Sequence, residues 1–134
     1  MVFGSPQAIS RLNALTHPAI MAEIERRLRE LATEGRTRVA CVVAPLLLEA
    51  GGWRTIQRLL VMWADEDERV RRVMARDGLS EAEVRQRIAA QMPADEQTRR
   101  ADWVVDTEAG LEATRRQLEA IWEQLVKQAD WASA

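Results

Sequence analysis

From Ser5 to Gly35 apolar residues recur at helical spacing, as at Ile20, Ile24, Leu28 and Leu31, with polar residues between them. Ser5 suits a cap and Pro6 a first helical turn, and the break at Thr16-His17-Pro18 predicts two helices, the second closed by Gly35. At Arg38 the period changes. Val39 to Val43 is a short, almost wholly apolar run ended by Pro45, which predicts a buried strand of a parallel sheet, with Leu46-Leu47-Leu48-Glu49 and Gly51-Gly52 as its exit loop. A second apolar run, Leu59 to Trp63, leads into Asp65-Glu66-Asp67-Glu68, and acids of this kind suit the positive end of a helix dipole. That helix is predicted to end at Gly78, and Ser80-Glu81-Ala82-Glu83 reads as a capping box opening the next. Pro93 ends or bends the latter, a short helix follows, Asp102 to Asp106 predicts a third strand, and an amphipathic helix runs from about Glu108 to Gln128.

Strands alternating with helices predict an α/β fold with a parallel sheet. About three strands make a narrow sheet, so a strand is expected to be missing or supplied by a partner. At 134 residues and 47% hydrophobic, one domain with a real core is the default. No apolar run reaches a membrane span and the start has no signal-peptide pattern, which predicts a cytoplasmic protein. With 21 acids against 19 bases, a general nucleic-acid surface is not expected. The one cysteine, Cys41, sits in VACVVAPLLL and reads as a small core side chain.

Only one of the bases, Lys127, is lysine; arginine dominates, most of all from Arg69 to Arg87. Arg72 and Arg76 stand one helical turn apart, where two guanidinium forks suit phosphate oxygens; the alternative is a solvated face paired with Asp65, Glu68, Glu81 and Glu83. His17 is the only histidine, beside a proline, and serves either a ligand or a local hydrogen bond. No metal cluster of histidine and cysteine and no G-x-S-x-G is present. Of five tryptophans, Trp63 and Trp103 fall on predicted strands and Trp122 on the last helix with Leu118 and Leu125, which favours packing over base stacking.

Five ordered motifs then carry a resemblance: Leu12 to Pro18, Ala44 to Glu49, Met74 to Ser80, Arg87 to Pro93, and Ala101 to Asp106. In that order and spacing the chain resembles the dephospho-coenzyme A kinase family. The resemblance implies a P-loop kinase that uses ATP and Mg2+ to phosphorylate the ribose 3′-hydroxyl of dephospho-CoA, the last step of coenzyme A biosynthesis. It implies a partial P-loop kinase fold here, with a helical substrate-binding region over 5–35, core strands within 38–63 and 102–106, lid-like helices over 66–101, and a terminal helix over 108–128. It places Arg72 and Arg76 in the lid as phosphate contacts, His17, Pro45 and Leu47 at the substrate, and Arg87, Asp106 and Thr107 at the nucleotide, with no metal ligand assigned.

Two positions depart from the family: many members carry an acid where Val43 stands, and usually asparagine where Thr107 stands. A third departure is larger. The family's G-x-x-x-x-G-K-[ST] loop, whose amides and lysine hold phosphates, is nowhere in this sequence, and Lys127 has no glycine loop before it. Met1 aligns inside the family's chain, so the expectation is a kinase portion inactive alone, one that self-associates or needs a complementing amino-terminal segment. A non-catalytic binding module and a folded dimeric remnant stand as alternatives.

Overall fold

The computed structural model describes residues 6–52 and 56–131. Ser5, read from the sequence as a cap, lies outside them. The elements are α1 (Pro6–Glu34), β1 (Leu60–Trp63), α2 (Glu66–Asp77), α3 (Glu81–Ala89), α4 (Ala94–Arg100), β2 (Trp103–Asp106) and α5 (Leu111–Trp131). They fall into two compact units: one is drawn from the described residues of Met1–Ile56 and Val126–Ala134, the other is Gln57–Leu125.

In the first unit α1 is one helix, not two, with Pro18 inside it. A proline there forfeits one backbone hydrogen bond and crowds the carbonyl a turn earlier, at a cost of roughly 3 kcal/mol. The helix continues because good helix formers such as Ala14, Leu15, Ala19 and Met21 flank the proline, and Arg26 and Arg27 both pair with Glu23. Gly35 then ends it in the left-handed region at φ 67°, donating to the Ala32 carbonyl at 3.2 Å.

The expected strand over Val39 to Val43 does not form; residues 39–44 are neither helix nor strand. The regular structure described in this unit is helical, and a helix presents no free backbone edge for a strand to pair with. Cys41 is accordingly exposed rather than buried, and Val43 is 90% exposed. After Pro45 the chain winds into a turn in which Gly52 donates to the Leu47 carbonyl at 2.9 Å. A Cβ on Gly52 would stand 2.6 Å from Leu47 Cδ1 and 2.7 Å from Met21 Cε, so glycine lets α1 and this turn meet.

The second unit is built on a two-stranded parallel sheet, with Leu60 opposite Trp103 and Trp63 opposite Asp106. Asp102 starts the ladder: its N–H donates to the Leu59 carbonyl at 2.8 Å, and its carboxylate accepts from the Leu59 N–H at 2.8 Å. The helix limits follow their residues. Asp65 caps α2 by accepting from the Asp67 N–H, Gly78 closes α2 at φ 67°, and Ser80 and Glu83 form the reciprocal capping box of α3. Val70, Val84, Val105 and Ile121, one from each of α2, α3, β2 and α5, are buried with Ala64 at the end of β1. The burial of Thr114 and Ile121 sets the inner face of α5, leaving Trp122 on its outer side at 55% exposure. Met62 and Val104 stay 50% and 44% exposed, so this sheet is less covered than parallel sheets usually are. Among the described residues no helix is long and apolar enough to cross a membrane.

Candidate functional site

Ligands of parallel α/β sheets bind beyond the carboxyl ends of the strands. Here those ends are Trp63-Ala64-Asp65 after β1 and Asp106-Thr107-Glu108 after β2, and the two turns are tied together. Thr107 donates from both its N–H and its hydroxyl to the Trp63 carbonyl, each at 3.0 Å. Glu108 Oε1 accepts from the Asp65 N–H at 2.8 Å, and Asp106 Oδ1 accepts from the Glu108 N–H at 2.7 Å. Gln117 of α5 brackets the Asp106 backbone, accepting from its N–H at 3.0 Å and donating to its carbonyl at 2.8 Å.

Arg72 of α2 reaches across to this platform. Its Nη1 donates to Thr107 Oγ1 and its Nη2 to the Thr107 carbonyl, both at 2.8 Å, while Nε donates to Glu68 at 2.6 Å. All three bonds lie at the rim of the guanidinium. The fork that would grip a phosphate is therefore occupied by Thr107, and what stays open is the flat face of the group. The Thr107 hydroxyl, spent as donor on Trp63 and as acceptor on Arg72, positions Arg72.

Arg76, one turn on, is held differently. It makes a two-point pair with its neighbour Asp77, at 2.6 and 3.0 Å, and its side chain is 73% exposed. An exposed pair contributes at most about 1 kcal/mol, so a phosphate able to accept both N–H groups competes readily for this arginine. That hydrogen bond to Arg76, with Arg87 adding charge nearby, keeps the Asp77 carboxyl below its ordinary range. Arg87 likewise supports Glu83, whose carboxyl is lowered first by its bonds to Ser80. Glu68 takes Arg71 and Arg72 together and is held at about 2, chiefly by the Arg71 bond and then by that of Arg72. Arg85 is enclosed by Glu66, Asp67 and Glu81 at 2.6 to 2.9 Å, and its charge is locally neutralised.

The structure thus brings Arg72 to Thr107 beside Asp106, with Arg76 one turn on along α2 and Arg87 on α3 of the same unit. His17, Pro45 and Leu47 belong to the other unit. His17 is half-buried in α1, Pro45 is exposed, and Leu47 is 7% exposed against Gly52. The ion pairs expected of a solvated arginine face are present at Glu68 and Glu81. Sequence reasoning missed the role of Glu108 as a clamp on Asp65, which has no local signature, and that of Arg69. Arg69 is half-buried and its Nε has no hydrogen-bond partner among the described residues.

A model of the dephospho-CoA kinase family matches residues 1–113. Dephospho-CoA kinase of Symbiobacterium thermophilum is 43% identical over 122 residues, covering 91% of this chain and 51% of that protein. That of Geobacter sulfurreducens is 44% identical over 122 residues, covering 91% and 61%. A crystal structure from Thermus thermophilus superposes with a TM-score of 0.70 at 39% identity over 92% of this chain and 63% of that one. Dephospho-CoA kinase from Campylobacter jejuni, at 24% identity and a TM-score of 0.63 over 95% and 62%, shares the fold. The chain therefore spans about half to three fifths of the relatives it matches. With a family model running through most of its length and identities above 40% over nine tenths of it, the chain belongs to the dephospho-CoA kinase family.

Proposed function

We propose that this chain supplies the acceptor-side and lid portion of a dephospho-CoA kinase. In the reaction the ribose 3′-oxygen of dephospho-CoA attacks the γ-phosphorus of ATP; the new P–O bond forms as the bond to the β,γ-bridging oxygen breaks, the 3′-hydroxyl gives its proton to a carboxylate base carried with the phosphate-loop segment, and ADP leaves. The observation that carries this reading is the junction of Arg72 with Thr107 at the carboxyl ends of the parallel strands, with Arg76 one turn away. Arg72 lays its face beside the adenine end of the nucleotide, since a guanidinium held by its rim is suited to stack on a flat ring. Arg76 exchanges Asp77 for phosphate oxygens and stabilises charge on the transferring group. Asp106 and Thr107 shape the nucleotide side, with Arg87 adding positive charge; His17, Pro45 and Leu47 serve the acceptor.

Among the described residues no group of three or more His, Cys, Asp or Glu side chains is placed to hold a metal, and no step is assigned to a metal here. Nor is there a glycine loop with a lysine for the ATP phosphates. In our reading the chain does not turn over by itself and acts with a segment that carries that loop. The outer edge of β1, unpaired among the described residues, suits such a segment, and pairing with a second copy competes for the same edge. The test is titration calorimetry of the 134-residue chain with dephospho-CoA. Saturable binding is expected, and a folded chain that takes up none contradicts the assignment.

A further inference from the structure

α3 has little of its own to hold it. At nine residues it is shorter than the roughly 12–15 below which an isolated helix is marginal in water, and its one buried residue is Val84. α2, on which it packs, likewise buries only Val70. The Ser80 and Glu83 box fixes the first turn of α3 without tying it to another element. That tie is Arg85. Its Nη1 donates to Glu66 Oε1 at 2.9 Å and its Nη2 to Asp67 Oδ1 at 2.6 Å, across 19 and 18 residues of chain, while Nε donates to Glu81 of its own helix at 2.8 Å.

Glu66 and Asp67 form the first turn of α2, the end anchored on the strands. Asp65, its cap, accepts from the Asp67 N–H and donates its own N–H to Glu108 in the turn after β2. Arg85 therefore fastens α3 to the part of α2 that is held in place. On both sides of α3 the chain leaves the helix, at 78–80, where Gly78 has φ 67°, and at 90–93, so both joints can absorb a rotation. The tie is made in the open: the Arg85 side chain is 40% exposed and its three acids are 52% to 80% exposed. Salt screens such pairs, and α3 releases before the core of its unit does.

We infer that Arg85 is an electrostatic latch that shuts α3 onto the base of α2, and that α3 swings as a flap about 78–80 and 90–93 when the latch is released. The flap carries Arg87. With the latch shut, the Arg87 charge lies close enough to Asp77, the partner of Arg76, to favour its carboxylate, so two arginines of the site are kept together. The use of Arg87 at a nucleotide rests on the function proposed above, whereas the latch rests on the bonds of Arg85 alone.

The experiment is hydrogen–deuterium exchange of the 134-residue chain, read at the backbone amides of α3 and α5, in the parent, in Arg85→Met, in the double variant Glu66→Gln with Asp67→Asn, and in Glu81→Gln. Arg85→Met and the double variant are each expected to speed exchange in α3 by about threefold to tenfold and to leave α5 at its parental rate. Glu81→Gln spares both bonds to α2 and changes α3 by about twofold or less. Sodium chloride at about 1 M, where the screening length is about 3 Å, brings α3 of the parent close to that of Arg85→Met. Should Arg85→Met fail to fold by circular dichroism, the double variant decides in its place. Unchanged α3 exchange in the latch variants, a Glu81→Gln effect as large as theirs, or equal acceleration of α3 and α5 overturns the latch, and none of these outcomes touches the proposed function, because no ligand enters the measurement.

Discussion

Arg72 donates to Thr107 through both terminal nitrogens, to the hydroxyl and to the carbonyl at 2.8 Å each, and so joins α2 to the turn after β2 across 35 residues of chain. Thr107 passes the connection on to the Trp63 carbonyl at the end of β1. One threonine therefore links both strand ends to α2.

Replacing that threonine isolates the link. Thr107→Val keeps the shape and removes the hydroxyl, which ends one bond to Arg72 and one to Trp63. A loss of about 1–2 kcal/mol is expected in urea denaturation, because the bond to Trp63 is partly buried, that from Arg72 is charge-assisted, and each contributes about 1 kcal/mol. Unchanged stability would show that the hydroxyl holds nothing.

Glu68 gives the platform an acid limit. Its carboxyl is lowered from 4.5 to about 2 in the fold by Arg71 and Arg72, so the unfolded chain binds this proton first as pH falls. The stabilisation is present above about 4.5 and is lost as pH drops through about 2. The melting temperature of the parent should fall toward that of Glu68→Gln over this window and stay above it at neutral pH. Parallel curves for the two proteins would remove Glu68 as the anchor.

Gly52→Ala tests the close approach in the first unit. The added methyl meets Leu47 Cδ1 at 2.6 Å and Met21 Sδ at 2.7 Å. Both are far ends of side chains, and the thioether of Met21 can turn away, so the cost should lie near the lower end of the 1–3 kcal/mol usual for overpacking. A stabilised variant, by chemical denaturation, would mean that the gap tolerates a side chain.

Arg76 and Arg72 should separate kinetically once a phosphate-loop segment is supplied. Arg76→Ala is expected to lower kcat with little change in KM for dephospho-CoA, since its contact strengthens as charge develops on the transferring group. Arg72→Ala should raise KM for ATP as well. A rise in KM for the acceptor alone, with kcat intact, in Arg76→Ala would place that arginine away from the transfer.

Local signals in the sequence carried far. Asp65, Gly78, the Ser80 and Glu83 box and the acids at the start of α2 are cues acting within a few residues, and each stands where its chemistry directs. The strands Leu60–Trp63 and Trp103–Asp106 were legible as apolar runs between such cues. Two readings failed where the outcome rests on neighbours. Pro18 reads locally as a break, yet the helix formers around it carry α1 through; Val39 to Val43 has a strand's composition but no strand to pair with in its own unit, which leaves Cys41 exposed. At the site the sequence singled out Arg72 and Thr107 separately. Their contact, the occupied fork of Arg72 and the unpaired Nε of Arg69 depend on spacing across the fold that no local pattern encodes.

The most direct test measures conversion of dephospho-CoA and ATP to CoA and ADP with magnesium, first by the 134-residue chain alone and then with a polypeptide carrying the family's first strand and phosphate loop. No turnover by the chain alone and restored turnover with the added segment is the predicted result. Robust, magnesium-dependent turnover by the chain alone would contradict it.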